Sequence, residues 1–349
     1  MATRKDVAAM AGVSEATVSY AISGKAPISE ATRKRVFAAM DKLHYIPNLM
    51  AQGLAGRSSN LIAMLFPSQE RGISNADLEY VLGAANAARE LGYHLILWPT
   101  ADRDVEEVIA LGQAGLIDGV LLMEVRLEDE RVEALEGAGM SVGLIGRVRD
   151  ESEEVLFADR DFEGAVTDAV DYLAGLGHEH IAFLNGSRQI VRLGFGATVR
   201  AEEAFKSSMR SRGLKAVNLY SRSTVDAGRA ALRHMVVRHP EITAVVAMNA
   251  DAVIGFLQEA RGQGIAVPTQ LSVVSIATPD SFASGTDPEL TTISPPATEI
   301  GGAAARQLIG RLANLELPRE PRLFRGELVV RGSSAPPRAH RNGAPKSGS

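Results

Sequence analysis

Glu15, Ala16, Ser19, Tyr20 and Ser23 fall at a spacing that places side chains along one face of an α-helix. Most are short or end in a single hydrogen-bonding tip, and only one is charged. A helix face that merely meets solvent usually carries Lys and Glu. Small residues and hydrogen-bonding tips suit the edges of nucleic-acid bases instead. A second set of candidates lies far along the chain. Glu124, Arg147, Asp159 and Asn249 each follow an apolar run of strand type, Asp161 and Phe162 come just after, and Arg200 lies beyond the glycine-rich GFGAT. Carboxylates, guanidinium groups and an amide around a cleft suit a polyol such as a sugar, through paired donors and acceptors. Tyr80, Trp98, Phe162 and Phe195 could add stacking surface, although an aromatic near a strand end more often serves packing.

The first set must be positioned by helices. Thr3, Ser14 and Ser29 each precede an apolar-periodic segment, as N-caps do, and Thr3-x-x-Asp6 has the form of a capping box. The first helix is expected to carry Val7, Ala8, Met10 and Ala11 inward. The second runs from about Glu15 to Ser23 with Val18, Ala21 and Ile22 inward. The third runs from about Glu30 to Leu43 and packs Val36, Phe37, Met40 and Leu43 over the other two. Ala8, Gly12 and Val18 have the spacing of a helix-turn-helix, with Gly12 in a turn where positive φ is easy. Residues 1–60 hold 8 Lys/Arg and 4 Asp/Glu, a charge of +4 in a chain of −5, so the remainder carries −9. A basic small module on an acidic body suits phosphate contact by the module alone. A three-helix protein-interaction module is the bland alternative.

TVSYAISGKAPISEATRKRV followed by HYIPNLMAQGLAGRSSN resembles the lac repressor (LacI) family of bacterial transcription regulators. The resemblance implies that Glu15, Ala16 and Tyr20 are the base-contacting positions of a recognition helix. It further implies that Thr3, Ser14, Thr17, Ser19, Ser29, Thr32 and Asn48 hold phosphates. Many members carry Arg at the position of Tyr20. Arg reads guanine with two hydrogen bonds where Tyr has one hydroxyl and a large face, so the half-site of relatives is not carried over.

Residues 47–59 read as a hinge. Asn48 to Ala55 is short for a helix, with Gly53 inside, and isolated helices of this length are marginal in water. Such a segment orders only when something packs on it; a plain linker is the alternative. PN-x-x-A-x-x-L-A, which includes Ala51, matches the family, and the resemblance implies that it folds on operator DNA while Leu54 wedges into the minor groove and bends the duplex.

From Asn60 to residue 334, strands alternate with helices. LIAMLFP (61–67), YHLILWP (93–99), GVLLM (119–123), SVGLIG (141–146) and VLFA (155–158) form a first set. IAFLN (181–185), AVNLY (216–220), TAVVAM (243–248), LSVVSIA (271–277), LTTISP (290–295) and ELVVR (327–331) form a second. Continuous apolar runs with short links predict parallel sheets covered by helices on both faces. Two lobes are expected: one of about 60–158 with part of 284–318, the other of about 159–283 with 319–334. Ligands of such sheets bind at the carboxyl ends of the strands. IAFLNG, AVVAMN, PTQLSVVSI, PELTTISPP and ELVVRGSSAPP also match family blocks, so the resemblance covers about residues 2–337. It implies an all-α helix-turn-helix domain and hinge on a two-lobed α/β core like the periplasmic sugar-binding proteins. It places an acid near Asp159 or Asp161, an Arg near Arg200 and an Asn at Asn249. Ala250 stands where relatives often have Asp, and in SIATPD (275–280) Ala277 and Thr278 lack the carboxylates of an acidic pair common in relatives. The tail, 335–349, is Pro/Gly/Ser-rich and expected to be disordered.

With 349 residues and no Cys, the chain is long enough for several domains and has no thiolate metal site or disulfide. No signal-peptide core follows MATRKD, and no run of 18 apolar residues occurs, which together suggest a cytoplasmic protein without membrane contact. No nucleophile elbow, Walker loop or dinucleotide fingerprint follows a strand. His178 and His180 form a lone pair read as turn residues. The expectation is therefore a homodimeric regulator, a repressor by default, that is not an enzyme and needs no metal or cofactor. Its partners are operator DNA and a small effector. A binding-only receptor and an NAD-type enzyme are the rivals, and the enzyme leaves the first 55 residues unexplained.

Overall fold

The structure, a computed structural model, describes residues 2–23, 26–45, 58–67, 75–100, 105–149, 154–293, 296–318 and 322–338. It divides into two units, residues 1–59 and 60–349.

In the first unit, α1 (Arg4–Ala11), α2 (Glu15–Ser23) and α3 (Glu30–Leu43) enclose a small core of Val7, Ala8, Ala11, Val18, Ala21, Val36, Ala39 and Met40. Gly12 ends α1 at φ 64°, and its N–H returns to the Ala8 and Ala9 carbonyls. Two residues expected inside are not: Met10 is 50% and Phe37 41% exposed. The α1 stripe is Val7, Ala8 and Ala11, and Met10 falls off its edge. On α3 the stripe is Val36, Ala39 and Met40, and one step from Val36 turns Phe37 about 100° away.

The second unit contains β1 (Leu61–Pro67), α4 (Asn75–Glu90), β2 (His94–Thr100), α5 (Val105–Gln113), β3 (Gly119–Leu122), α6 (Glu130–Gly137), β4 (Ser141–Ile145) and β5 (Leu156–Arg160). There follow α7 (Phe162–Gly175), β6 (Ile181–Asn185), α8 (Arg188–Arg192), α9 (Gly196–Ser211), β7 (Val217–Tyr220), α10 (Val225–Arg238), β8 (Ala244–Ala247), α11 (Ala250–Gly262) and β9 (Ser272–Ser275). Last come α12 (Asp280–Ala283), β10 (Thr291–Ile293), α13 (Ala297–Ala313), β11 (Leu323–Phe324) and β12 (Leu328–Val329). Among the described residues they form two sheets, ordered β11-β5-β4-β3-β1-β2 and β12-β10-β9-β8-β6-β7. Pairing is parallel except between β10 and β12. Each sheet has an apolar cluster on both faces, which is why its strands read as continuous apolar runs.

Each lobe also contains a helix pair that meets through reciprocal glycines. A Cβ at Gly83 of α4 would overlap the Thr298 carbonyl, and one at Gly301 of α13 would overlap that of Tyr80. In the other lobe, a Cβ at Gly228 of α10 would overlap the Ala252 carbonyl, and one at Gly255 of α11 that of Val225.

The lobe boundaries differ from expectation near the end of the chain. Leu323 and Phe324 pair with Asp159 and Arg160 in the first sheet, although residues 319–334 were expected in the second lobe. The chain leaves α13 in the first lobe and passes that sheet's edge before reaching β12, and a two-residue strand has no readable period. The expected tail also begins too early. Ala335 donates its N–H to Ser272 Oγ at 3.0 Å, and its carbonyl accepts from the same hydroxyl at 2.9 Å. His178, read as a turn residue, is buried: Nδ1 lies 2.9 Å from Thr243 Oγ1, and Nε2 3.0 Å from the Ala335 carbonyl. Burial holds its pKa below the ordinary histidine value.

Candidate functional site

The small unit presents α2 outward. Glu15, Ala16 and Tyr20 are exposed, while Thr17 and Ser19 are half-buried. Ser23 is the last residue of α2, and its side chain lies outside the described residues, as do Asn48, Ala51 and Leu54. Of the expected phosphate contacts, Thr3, Ser14, Thr17, Ser29 and Thr32 sit at helix starts, whereas Ser19 lies in the middle of α2. Thr3 Oγ1 accepts from Asp6 N at 3.3 Å while the Asp6 carboxylate accepts from Thr3 N at 2.8 Å. Ser14 Oγ accepts from Thr17 N at 3.1 Å, and Ser29 Oγ from Thr32 N at 3.2 Å. The Thr17 and Thr32 hydroxyls bond the same cap oxygens at 2.9 and 2.8 Å. Two helix N-termini, each edged by a hydroxyl pair, are places where the backbone favours an anion.

The second unit has a cavity at the carboxyl ends of both sheets, where open parallel sheets bind ligands. Met123, Glu124, Val125, Gly146, Asp159 and Arg160 line it from the first lobe. Ser223, Met248, Asn249, Asp251 and Ala277 line it from strand and helix ends of the second. Tyr80 and Asp77 of α4, Phe162 of α7, and Ile190, Phe195 and Thr198 complete much of the wall. Glu124 reaches it from a left-handed backbone, φ 52°, which costs energy in a residue with a side chain and clusters at functional sites.

Four of the candidate effector residues therefore line the cavity: Glu124, Asp159, Phe162 and Asn249. Asn249 is already engaged there. Its Oδ1 caps α11 by accepting Ala252 N at 3.1 Å, and its Nδ2 donates to the Ser221 carbonyl at 3.2 Å. Arg147, Asp161 and Arg200 do not line the cavity. Asp161 turns back to cap α7, accepting Gly164 N at 2.8 Å, because β5 ends one residue earlier. Arg147 and Arg200 stand behind the wall as struts. Arg147 donates from Nε to Asp159 at 3.3 Å and from Nη2 to both oxygens of Glu163 at 2.6 Å. Arg200 donates to the Arg147 and Val148 carbonyls at 3.0 and 2.7 Å. Since Glu163 and Arg200 lie on α7 and α9, these bonds join the two lobes.

A backbone contact reinforces the joint. Gly196 N donates to the Val125 carbonyl at 2.9 Å and Leu127 N to that of Gly194 at 2.8 Å. A Cβ at Gly196 would stand 2.7 Å from Arg200 Nη1 and 3.1 Å from the Arg147 carbonyl, so the close approach needs glycine. Burial pushes the Asp159 carboxyl up to about 6, against the pull of Arg147.

Reasoning from the sequence missed Arg160. It sits between the two acids under consideration and is 4% exposed. Its Nη1 donates to the Ile276 carbonyl at 2.9 Å and its Nη2 to the Tyr80 hydroxyl at 3.1 Å. Its signal was present: Arg160 is the last residue of an apolar strand, the position from which side chains enter such a cleft. Tyr80, which the sequence offers as stacking surface, instead accepts this hydrogen bond through its hydroxyl.

Comparison with known proteins bears on both units. Residues 3–48 match the profile of bacterial regulatory proteins of the lacI family, and residues 170–334 that of a periplasmic binding protein-like domain. The chain is 32% identical to HTH-type transcriptional regulator reg1 of Streptomyces lividans, over 96% of this chain and 97% of that one. It is similar to a solved complex of transcriptional regulator CelR with cellobiose, at 26% identity, TM-score 0.68, and coverage of 96% and 100%. It shares its fold with the lac repressor dimer bound to operator and the anti-inducer ONPF, at 23% identity, TM-score 0.80, and coverage of 96% and 99%.

Proposed function

The chain belongs to the lacI family of bacterial regulatory proteins, and from that premise we infer that it is a DNA-binding transcriptional regulator, a repressor, whose operator affinity follows a sugar held in the interlobe cavity. The observation that carries this reading is the joining, in one chain, of a helix-turn-helix with an exposed α2 face and a two-lobed core with a cavity at its strand ends whose wall mixes apolar side chains with carboxylates, an amide and a guanidinium. CelR, whose solved complex contains cellobiose, supports a sugar as the ligand class.

In this mechanism the protein acts as a homodimer in the cytoplasm on a roughly palindromic operator. Glu15, Ala16 and Tyr20 read base edges, and the cap hydroxyls with Asn48 hold phosphates. Leu54, in the hinge, opens the minor groove between half-sites. Single modules bind weakly, so affinity depends on holding two at one spacing. The sugar changes that affinity because it binds the lobe arrangements unequally. The cavity acts as a binding site, and no step of the mechanism calls for turnover.

Selection of bound DNA from random sequence, with and without a panel of neutral sugars, tests the reading. A twofold-symmetric site whose retention changes with one sugar is expected. No preferred site at low or moderate salt would overturn it.

A further inference from the structure

Arg160 differs from every other described residue of the cavity wall in being basic; Asp77, Glu124, Asp159 and Asp251 share that wall. Two of its nitrogens are engaged, Nη1 with the Ile276 carbonyl of the second lobe at 2.9 Å and Nη2 with Tyr80 of the first at 3.1 Å. Its guanidinium carbon stands 5.7 Å from the centre of the Phe162 ring. Its Nε is buried and has no acceptor among the described residues. A buried N–H of a charged group keeps its full desolvation penalty until an acceptor reaches it.

We propose that Arg160 is the residue that reads the effector: its Nε donates to an uncharged oxygen, a hydroxyl or ring oxygen, of a neutral sugar. This rests on the cavity being a sugar site, and it names the residue and the ligand charge. A carboxylate or phosphate would satisfy Nε as well, but it would enter a low-dielectric wall where one guanidinium faces four carboxylates, of which Asp159 is paired from behind with Arg147. A neutral sugar gives an acceptor to Arg160 and hydroxyl donors to the acids without adding like charge. Because the same guanidinium bonds Ile276 in one lobe and Tyr80 in the other, a ligand on Nε touches the group whose bonds depend on the lobe arrangement.

The test is calorimetric titration of the full-length protein with neutral mono- and disaccharides, each beside its uronate and 6-phosphate where these exist. The expected result is binding of at least one neutral sugar, with the anionic counterparts at least about tenfold weaker. Arg160→Gln and Arg160→Lys, with folding checked by circular dichroism, should weaken that sugar by about tenfold or more, the range for a hydrogen bond to a charged group. A series of deoxy analogues together with the carba analogue, in which a methylene replaces the ring oxygen, should show on the wild type one hydroxyl or ring oxygen whose loss has a similar effect, and that loss should cost nothing further in Arg160→Lys. A merely structural Arg160 would lower the melting temperature and leave the deoxy profile unchanged, which would overturn the proposal. So would wild-type affinity in the variants, a preference for the anionic sugar, or a series flat across both the deoxy and the carba analogues in the wild type. Binding of no sugar at all would remove the sugar reading itself, and with it this proposal, whereas the other failures leave that reading standing.

Discussion

Arg200 of the second lobe donates a hydrogen bond of 3.0 Å to the main-chain carbonyl of Arg147 in the first. A second bond, 2.7 Å to the Val148 carbonyl, makes the contact a fork. The sequence marks both arginines as candidate ligand contacts, yet the fork engages Arg200 with main chain, and the Arg147 side chain separately holds Asp159 and Glu163. They set how the walls of the cavity meet.

Arg200→Lys should therefore loosen the lobes. Lys is a point charge and cannot make the planar fork, so core stability should fall by roughly 1–3 kcal/mol in urea unfolding. Glu163→Gln should cost less, about 1 kcal/mol, because Glu163 is 42% exposed and solvent screens its pairs. X-ray scattering of the ligand-free chain should show a larger radius for Arg200→Lys. An unchanged radius and unfolding midpoint would mean the fork does not hold the lobes.

The buried Asp159 carboxyl should leave a mark on the pH dependence of stability. Its pKa is pushed up to about 6 in the folded chain, against about 4 in an unfolded one. The folded state thus binds this proton more tightly. The resulting stabilisation is fully present below the unfolded value and is lost as pH rises toward 6. Asp159→Asn should remove that decline, flattening the stability profile between about pH 4 and 6 by up to about 3 kcal/mol. Parallel profiles for the two proteins would count against the assignment.

The reciprocal glycines make a sharper prediction for packing. Gly301→Ala places a methyl on the Tyr80 carbonyl and should destabilise by about 1–3 kcal/mol or more. Gly137→Ala, at the end of α6, meets nothing and should be neutral or stabilising by up to about 1 kcal/mol. Equal melting temperatures for the two variants would show that α4 and α13 can part without cost. Gly301→Ala should also disturb the cavity, since Tyr80 bonds Arg160.

These particulars show what the chain's pattern could and could not reveal. Apolar runs such as LIAMLFP and IAFLN are strands because both faces are covered, and Thr3, Ser14 and Ser29 cap helices because only their side chains can take the first N–H groups. Which acid of DRD faces the cavity was not legible, since it depends on β5 ending at Arg160, a matter of one residue. Arg160 stands out no more in the sequence than the carboxylates on either side, which fit a sugar site equally well. Met10 and Phe37 were misplaced for a related reason: an apolar type does not say on which side of a stripe a residue falls.

Leu54→Ala tests the hinge. If the segment folds on DNA and wedges the duplex, the substitution should reduce operator bending in a circular-permutation gel assay and weaken specific binding about tenfold, with dimerisation unchanged by sedimentation. Full bending by the variant would reduce Asn48 to Ala55 to a linker.

In the proposed mechanism Tyr20 is one of the side chains that read base edges, and its variants test that role. The side chain is 42% exposed on α2, with Glu15 and Ala16 exposed beside it. A base contact and a phosphate contact can be told apart by salt, because phosphate neutralisation releases counterions while a base-edge hydrogen bond does not. Tyr20→Ala should therefore change the preferred base at one position of each half-site, at a cost of about 1–3 kcal/mol for the original operator, and leave the slope of affinity against salt unaltered. Tyr20→Arg should move the preference toward guanine, since only the guanidinium makes the two-bond contact to its major-groove edge. A uniform loss across all sequences, with a shallower salt slope, would place Tyr20 on the backbone and leave base reading to Glu15 and Ala16.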